Sequence, residues 1–427
     1  MNLQHKQRSW LKLDNAALIY PATQSRNWHA LFRLSATLID TVDPVVLQQA
    51  VDKVIKRFPG FACKLTKGLF WFYLEHINEP LLIQKDVNNP CVKMDFKENN
   101  GYMLRVRYYE NRIAVEYFHV LTDGTGGLCF LNTLVAEYLT IKYGENIPRD
   151  EKILNCDDTP KLSELEDSFP KYARGIIRSR SETDSYRIKG TVDKNYLNVV
   201  TSIIDSNELI SMAKSYNATV TEFLVAVLIK AIDKLQASKV ENRRKFKPIK
   251  ICVPINLRAY YPTTTLRNFS SYINPGIEPK YGEYSLEEII RMVKGFMLME
   301  RDEKLLNAKF STNVADGENI SLRLTPLFLK NLVLRLVYQF VGDRQTSSCI
   351  SNLGKISLPD PMNKYVTRMD FLLGPFSLNR AVIGCCSYKN SLIINFTRTI
   401  KEADIVRLFN TELVKLGIHV KVESNRR

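Results

Sequence analysis

The segment from residue 113 to residue 127 most restricts how this chain can fold, because it predicts a strand, a tight turn and a helix in succession. Alternating apolar residues over 113–117 are typical of a strand with one buried face. This strand delivers His119 to its C-terminal end, and Asp123 with Gly124 predicts the turn that follows. Because a strand end holds its backbone rigidly, we expect the imidazole of His119 to meet solvent or substrate in a fixed position.

The length of the chain and a change of composition near its middle predict two domains. With 427 residues, the chain exceeds the size at which one hydrophobic core keeps growing. Residues 145–192 are polar and poorly periodic, with acidic residues followed by basic ones, and we interpret them as a crossover linker. We therefore expect an N-terminal lobe over residues 1–180, which includes the linker from about residue 145, and a C-terminal lobe over residues 190–427.

Helix and strand signals occur in both halves, which predicts an α/β architecture of two layered lobes. Asp43 followed by Pro44 is a strong helix start, and Ser285 with Glu288 forms a capping box for a helix to about residue 303. A further amphipathic helix is predicted after residue 127. The second half ends in four predicted strands, at residues 347–351, 365–372, 381–388 and 391–397.

The most apolar helix predicted in the chain spans Leu327–Val341, and it carries the two cations Lys330 and Arg335. No apolar run reaches the roughly 18 uninterrupted residues of a membrane span, so we interpret this helix as buried in protein. The N-terminal residues lead into no apolar signal segment. We therefore expect a cytoplasmic protein without a membrane span.

Cysteine usage and net charge limit the environment and the partners of the protein. The eight cysteines form no C-x-x-C pair and lie mostly in apolar runs, which indicates reduced, buried thiols and neither a disulfide framework nor a metal site. The net charge of +15 favours acidic partners, namely nucleic acid, a membrane surface, anionic metabolites or carrier proteins. Nucleic-acid binding would rest on charge alone, since no groove-reading motif is present, and we do not expect it.

The pattern H-x-x-x-D-G spans His119–Gly124, and two softer motifs follow predicted strands, at Val253–Arg258 and Ser351–Gly354. Together these segments resemble the chloramphenicol acetyltransferase-like superfamily. Its members include peptide-synthetase condensation domains, plant acyl-CoA-dependent acyltransferases and bacterial alcohol acetyltransferases. Leu11–Pro21 and the helix after Asp43 are most similar to the alcohol acetyltransferase branch.

Two departures separate the chain from other branches of this superfamily. Condensation domains usually carry two adjacent histidines, whereas Phe118 precedes His119 here. The plant motif D-F-G-W-G is only partly matched by Asp370–Gly374. The first departure argues against a peptide-bond-forming module, and the second weakens the match at Asp370.

The resemblance implies two similar α/β lobes, each a mixed sheet covered by helices. Between them would lie a tunnel that admits an acyl thioester and a nucleophile from opposite faces. It also implies an acyltransferase in which His119 is the general base of a direct attack, a role that suits a group exchanging protons near neutral pH. The donor would be acyl-CoA as a co-substrate, with no tightly bound cofactor, and the acceptor would be a small molecule with a hydroxyl or an amine.

The resemblance also suggests roles for residues around the histidine. In the family, the aspartate of the motif points away from the tunnel and pairs with an arginine, for which Arg258 is the matching position. We therefore expect Asp123 to support the site structurally, and a catalytic role for Asp123 is the alternative. Candidates for stabilising the oxyanion or lining the tunnel are Gly124 through its N–H group, Ser351, Asn352 and Asp370.

Several alternatives remain open on the sequence alone. The same fold could take its acyl group from a carrier protein, or it could be a catalytically silent binding module. A basic loop could bind the phosphates of coenzyme A or an acidic carrier, or it could simply be solvated; its residues are Arg243, Arg244, Lys245 and Lys247. No nucleophile elbow G-x-S-x-G is present, so a covalent acyl-enzyme is not supported.

Overall fold

Two mixed β-sheets covered by helices, together with a small third sheet, make up the fold. The computed structural model describes residues 10–23, 29–175, 183–332, 334, 343–376 and 378–426. Buried apolar side chains form two clusters, one around each large sheet. This arrangement confirms the predicted α/β class with two lobes.

The first large sheet contains the strand that ends at His119. Its described strands, in spatial order, are β13 (Val366–Leu373), β2 (Leu31–Leu38), β7 (Arg112–Phe118), β6 (Leu104–Tyr109) and β5 (Gln84–Lys85). Neighbours are antiparallel except for the parallel pair β5 and β6. Because β7 is paired along both edges and buried over residues 113–118, the backbone leading to His119 is held firmly.

The second large sheet brings several parallel strand ends together. Its described order is β10 (Ser270–Ile273), β9 (Ile249–Asn256), β12 (Ser348–Ile356), β14 (Ala381–Tyr388), β15 (Ser391–Arg398), β8 (Asn198–Asp205) and β16 (Lys421–Ser424), and β11 (Gly276–Ile277) also pairs with β9. The strands β9, β12 and β14 run parallel, and the other pairs are antiparallel. Since parallel strands end at the same edge, the residues after β9 lie close to the later part of β12.

Helices and a three-stranded sheet complete the described structure. The small sheet has the order β1 (Trp10–Lys12), β4 (Phe72–His76) and β3 (Cys63–Lys67). The helices are α1 (Ile19–Thr23), α2 (Pro44–Arg57), α3 (Gly124–Tyr143), α4 (Phe169–Tyr172), α5 (Ser206–Ser215), α6 (Val220–Lys239), α7 (Leu286–Glu300), α8 (Glu303–Glu318), α9 (Ile320–Leu324), α10 (residues 327–332), α11 (Asp360–Asn363) and α12 (Asp404–Lys415).

Helix starts follow the capping signals of the sequence. The Asp43 carboxylate accepts from the first two free N–H groups of α2 at 2.8 and 3.3 Å. Both hydrogen bonds of the capping box between Ser285 and Glu288 are formed at α7. The helix expected after residue 127 begins earlier, at Gly124, because Asp123 caps it. The turn and the helix are therefore one continuous element.

One strand from the second half of the sequence joins the sheet of the first half. β13 pairs antiparallel with β2, with Phe371 opposite Leu34 and Leu373 opposite Phe32. The described part of residues 145–192 contains only short helical turns and isolated bridges, and its role as a linker stays a prediction. The division at about residue 190 stays a prediction, and residues from both sides of it build the first sheet.

The burial predicted for Leu327–Val341 is wrong for the part of that helix that the structure describes. Residues 327–332 and 334 are helical, and the rest of the prediction lies outside the described residues. Phe328 is 73% exposed, and Leu329 and Leu332 are exposed as well. Among the described helices, none is both long and apolar enough to cross a membrane.

The reason for this orientation is that the lysine of α10 points inward. Lys330 is fully buried, and its ammonium group donates to the carbonyl of Phe70 at 2.8 Å. The same ammonium group lies 3.4 Å from the centroid of the Trp71 ring, a cation–π contact. These contacts turn the opposite, apolar side of the helix outward.

We expect Lys330→Met to alter the pH dependence of stability. Burial lowers the pKa of the Lys330 ammonium group from its usual value of 10.5 to about 8. Between these values the unfolded chain holds a proton that the folded chain has released, so stability contributed by this group rises with pH. The free energy of unfolding should therefore rise by about 2–3 kcal/mol more in the wild type than in the variant between pH about 7.5 and 10.5. Urea unfolding at both pH values measures this, and parallel curves would refute it.

All eight cysteines are free thiols, and six of them are buried, as the sequence predicted. Burial raises the pKa of Cys63, Cys129 and Cys385 to about 12. These thiols are neutral near pH 7 and hence poor nucleophiles.

Candidate active site

His119 lies just beyond the C-terminal end of β7, where residues from both halves of the chain meet. Its backbone N–H donates to the carbonyl of Ala30 at 2.8 Å. The ring of Tyr20 stacks on the imidazole with centroids 4.8 Å apart, and Phe32 contacts it edge-on at 5.2 Å. The residue is half-buried, so the ring is held in place while part of it remains accessible.

Asn268 determines which nitrogen of His119 carries a proton. The Asn268 amide nitrogen donates to the His119 carbonyl at 2.9 Å and to a carboxylate oxygen of Asp14 at 3.1 Å. These two acceptors set the orientation of the amide, whose oxygen then lies 2.9 Å from Nδ1 of His119. Since this oxygen can only accept, Nδ1 is protonated, and Nε2 of the neutral ring is left with a free lone pair.

Asp14 anchors this arrangement from a fully buried position. Its carboxylate accepts from the N–H of Ala17 at 2.8 Å and lies 3.4 Å from Nε of Arg267. Burial raises the pKa of Asp14 above its usual value, although Arg267 and Asn268 act in the opposite direction. Asp14 orients Asn268, and Asn268 in turn orients His119.

Asp123 connects the turn to the second half of the chain. One carboxylate oxygen caps α3, and the other accepts from Arg258 at 2.7 Å and from the N–H of Phe269 at 2.9 Å. Burial alone would raise the pKa of Asp123, but the charge of Arg258 and these hydrogen bonds hold it below its usual value. The structure thus contains the ion pair that the resemblance implies, and Asp123 uses both oxygens for structural contacts.

Arg258 organises the loop that carries Asn268. Its guanidinium group donates to the carbonyl of Thr265 at 3.0 and 3.1 Å and to that of Arg267 at 2.6 Å. The same group donates to the side-chain oxygen of Asn256 at 3.3 Å. Loss of Arg258 would therefore disturb both the turn after His119 and the loop that orients its ring.

Gly126 allows this loop to approach the turn closely. A Cβ atom on Gly126 would lie 2.1 Å from the carbonyl oxygen of Leu266 and 2.2 Å from Oγ1 of Thr122. The Thr122 hydroxyl donates to that same carbonyl at 2.6 Å, so neither group can move aside without breaking the contact. The glycine at this position is a requirement of interlobe packing.

We expect Gly126→Ala to destabilise the protein by about 3 kcal/mol, because the added methyl group meets backbone and not a flexible side-chain end. Gly295→Ala is the matched control, since Gly295 lies within α7 and a Cβ there meets nothing within 4 Å. The control should be neutral or more stable by up to about 1 kcal/mol. Thermal unfolding measures the midpoint temperature of each variant. Equal midpoints would disprove the close approach of Gly126 to the carbonyl of Leu266.

Ser351 and Asn352 lie on β12 beside the turn. The next residue, Leu353, approaches so closely that a Cβ on Gly124 would lie 2.7 Å from its side chain. The Asn352 amide donates to Thr221 at 3.1 Å and accepts from the backbone two residues later at 2.8 Å, so it stabilises an irregularity in the strand. Ser351 is half-buried, and its hydroxyl makes no hydrogen bond to the residues that are described. Ser351 is thus better placed than Asn352 to receive a substrate atom.

Asp370 lies far along the sheet from His119. It is opposite Ser35 on β2, which is opposite Ala114 on β7, and Ala114 precedes His119 by about 17 Å of strand. The Asp370 carboxylate accepts from Arg368 at 2.7 and 3.1 Å. Asp370 therefore does not lie beside the imidazole, and its carboxylate is bound to Arg368.

The predicted basic loop lies at the other end of β9 from the site. Arg243 donates to the carbonyls of Pro279 at 2.9 Å and Gly282 at 2.6 Å, which assigns it a structural role. About 23 Å of strand separates the loop from Asn256. Contact with coenzyme A or a carrier stays a prediction for the exposed residues of this loop, Arg244, Lys245 and Lys247.

Three residues around the imidazole were not identified from the sequence. Asp14, Tyr20 and Asn268 belong to segments remote from His119. Asp14 and Tyr20 lie within Leu11–Pro21, which resembles the alcohol acetyltransferase branch, but that resemblance assigned them no role at the site. The one signal is that Asp14 is the single acid in the apolar lead-in over residues 10–20. A buried acid in such a segment needs a polar partner, but the sequence does not say which.

The fold and the site can be compared with known proteins. Models of known protein families give no match to this sequence. Curated protein sequences give no match either. Solved structures, in contrast, match over nearly the whole chain at low sequence identity.

Several solved structures share the fold of this chain. F. graminearum TRI101, complexed with coenzyme A and T-2 mycotoxin, matches with a TM-score of 0.62 and 10% identity over 97% of this chain and 99% of that chain. Polyketide synthase associated protein 5 from Mycobacterium tuberculosis gives 0.59 and 13%, over 95% and 97%. The first condensation domain of the calcium-dependent antibiotic synthetase gives 0.58 and 12%, over 96% of each chain. These matches confirm the predicted resemblance at the level of the fold.

Proposed function

We propose that the protein is an acyltransferase that moves an acyl group from acyl-CoA to the hydroxyl or amine of a small molecule, with His119 as the general base. The observation that carries this proposal is the contact between Nδ1 of His119 and the oxygen of Asn268 at 2.9 Å. This contact leaves Nε2 as the proton acceptor of a rigidly held imidazole. A general base requires such a group in reach of the nucleophile.

The proposed reaction needs no covalent enzyme intermediate. Nε2 of His119 takes the proton from the acceptor while the acceptor oxygen or nitrogen attacks the thioester carbonyl. The resulting oxyanion accepts hydrogen bonds from the hydroxyl of Ser351 and from the N–H of Gly124, which has no acceptor inside its own helix at this first position. Collapse of the intermediate breaks the carbon–sulfur bond, and the imidazolium returns its proton to the thiolate of coenzyme A.

The choice of donor rests on charge and on similarity. F. graminearum TRI101 was solved with coenzyme A and T-2 mycotoxin, a small molecule, which supports the same two classes of ligand here. The net charge of +15 favours an anionic donor. The same charge, with three exposed basic residues before β9, supports an acidic carrier protein as the second candidate donor.

Thiol release tests the proposal directly. Acetyl-CoA and longer acyl-CoAs are incubated with the protein and a panel of alcohols and amines, in parallel with an acyl-loaded carrier protein. We expect acceptor-dependent release of free thiol from at least one acyl-CoA. Thiol release from the loaded carrier alone would mean that the acyl donor is a carrier protein and not acyl-CoA. If no donor and acceptor pair releases thiol, the non-catalytic binding module becomes the better interpretation.

Asn268→Ala is expected to lower kcat by about 10- to 100-fold, because both tautomers of His119 become accessible when the orienting acceptor is lost. The KM for the donor should not change. Asn99→Ala is the matched control, since Asn99 is buried and donates to the carbonyls of Tyr102 and Leu104 at 3.0 and 2.7 Å. The control should lower stability and leave kcat intact. Equal kcat losses in the two variants would show that Asn268 acts only through folding.

A further inference from the structure

Six large apolar side chains around α10 are exposed to solvent for 44 to 73% of their surface. We call them the α10 surface, and they are Trp10, Leu69, Leu324, Phe328, Leu329 and Leu332. Single exposed apolar residues are ordinary on a protein, whereas a contiguous group marks a surface that another molecule covers.

Contacts between the three contributing segments make this surface contiguous. The N–H of Leu327 donates to the carbonyl of Leu69 at 2.9 Å, which joins α10 to the loop between β3 and β4. Trp10, Trp71 and Arg323 line one cleft of about 640 Å³ between the small sheet and the helices α8 and α9. The apolar side chains therefore form one face beside the mouth of an aromatic cleft.

The helix α10 buries its charged residue and exposes most of its apolar residues, which is the reverse of the usual arrangement. Leu327 and Lys330 are buried, while Phe328 and Leu332, one helical turn apart, lie outward. A helix that faces water buries its apolar stripe and exposes its charges. Burial of the cation beneath three exposed apolar side chains indicates that the outer medium of this helix is apolar.

Charge distinguishes a lipid surface from other apolar partners. Three exposed cations border the surface, namely Lys12, Lys67 and Arg323. In comparison, one exposed acid, Glu318, lines the cleft. The whole chain carries a net charge of +15. Trp10 stands at the same border, and tryptophan favours the boundary between lipid headgroups and acyl chains.

We propose that the α10 surface docks the protein onto an anionic lipid bilayer, with Phe328, Leu329 and Leu332 entering the boundary between headgroups and acyl chains. Apolar burial supplies the attachment, and the bordering cations favour anionic headgroups. This binding is independent of acyl transfer, so its test does not depend on the proposed activity.

Vesicle sedimentation with the full chain tests this proposal. The protein is mixed with vesicles of phosphatidylcholine alone, or of phosphatidylcholine with about one-third phosphatidylglycerol, and we expect about 10- to 100-fold stronger partitioning to the anionic vesicles. The double variant Phe328→Glu, Leu332→Glu should lose at least about 100-fold in partitioning. Wild-type protein that sediments with neither vesicle would overturn the proposal.

A second double variant controls for the added charge. Leu298→Glu with Met299→Glu replaces two exposed apolar side chains, 78% and 55% exposed, near the C-terminal end of α7. This end of α7 precedes the start of α8, and α8 extends about 22 Å from there to Glu318 at the cleft, beyond the screening distance of physiological salt, so partitioning should change by less than about fivefold. Equal losses in both variants would refute apolar insertion. If the wild-type protein binds no vesicles but forms dimers, and the α10 double variant is monomeric, then the α10 surface binds a second copy of the chain and not a bilayer.

Fluorescence quenching gives a measurement that needs no glutamate variant. Anionic vesicles whose acyl chains carry bromine should quench the tryptophan fluorescence of the wild-type protein, and Trp10→Phe should remove part of that quenching. Unbrominated vesicles provide the baseline. Binding without any quenching would mean attachment by charge alone, which contradicts insertion of the α10 surface.

Discussion

Replacement of His119 by alanine is expected to lower kcat for acyl transfer by about 10²- to 10⁴-fold, the usual contribution of a general base. The physical reason is that Nε2 of His119 is the proposed proton acceptor for the nucleophile. The folded structure should survive, because β7 is held along both edges and the backbone N–H of His119 keeps its acceptor. Steady-state thiol release with purified protein measures the effect.

Two controls separate loss of the base from general damage. His76→Ala removes an exposed histidine at the end of β4, away from the site, and kcat should not change. Added imidazole should restore part of the rate of His119→Ala, since a small base can occupy the space of the lost ring. A variant with full activity would exclude His119 as the base.

Asp123→Ala is expected to lower the free energy of unfolding by about 3–5 kcal/mol, because Arg258 would remain as a buried cation without its partner. Side-chain exposures of 12% for Arg258 and 7% for Asp123 place the pair out of water. The lowered pKa of Asp123 adds a pH signature. The contribution is present above the unfolded pKa of about 3.9 and is lost as pH falls through the lower folded pKa, so the difference between variant and wild type should shrink in acid.

The control for this variant is a helix cap without an ion pair. Asp205 accepts from the first N–H groups of α5 at 2.8 and 3.0 Å, and it is exposed. Asp205→Ala should cost only about 1 kcal/mol. Arg258→Met combined with Asp123→Ala should cost less than the sum of the two single changes. Equal losses for both capping aspartates would show that the ion pair contributes nothing beyond the cap.

The part of the site that is local in sequence could be predicted, and the part that depends on distant contacts could not. The strand before His119, the turn at Asp123 and the presence of α3 follow from short-range patterns, although α3 begins at Gly124 and was expected only after residue 127. Arg258 could be assigned as the partner of Asp123 only through the family resemblance. Asn268 contacts the imidazole across 149 residues of sequence, and no periodicity or spacing reports such a contact.

Two features of the fold show a further limit of periodicity. The helix after Ser285 was expected to continue to about residue 303, but it ends at Glu300, and Asp302 caps a new helix, α8. The apolar sequence also predicted a helix at α10, but we expected this helix to be buried in protein, and Phe328, Leu329 and Leu332 are exposed instead. Burial of Lys330 against Trp71 decided that orientation, and this contact joins residues that are far apart in sequence.

The most direct test of the central claim compares kcat per folded molecule with the free energy of unfolding for His119→Ala and Asp123→Ala. We expect the histidine variant to keep its stability within about 1 kcal/mol and to lose at least about 10²-fold in kcat. The aspartate variant should lose about 3–5 kcal/mol of stability, while its folded fraction retains kcat within about tenfold. A stable Asp123→Ala protein without activity would contradict the claim that His119 performs the chemistry and Asp123 holds it in place.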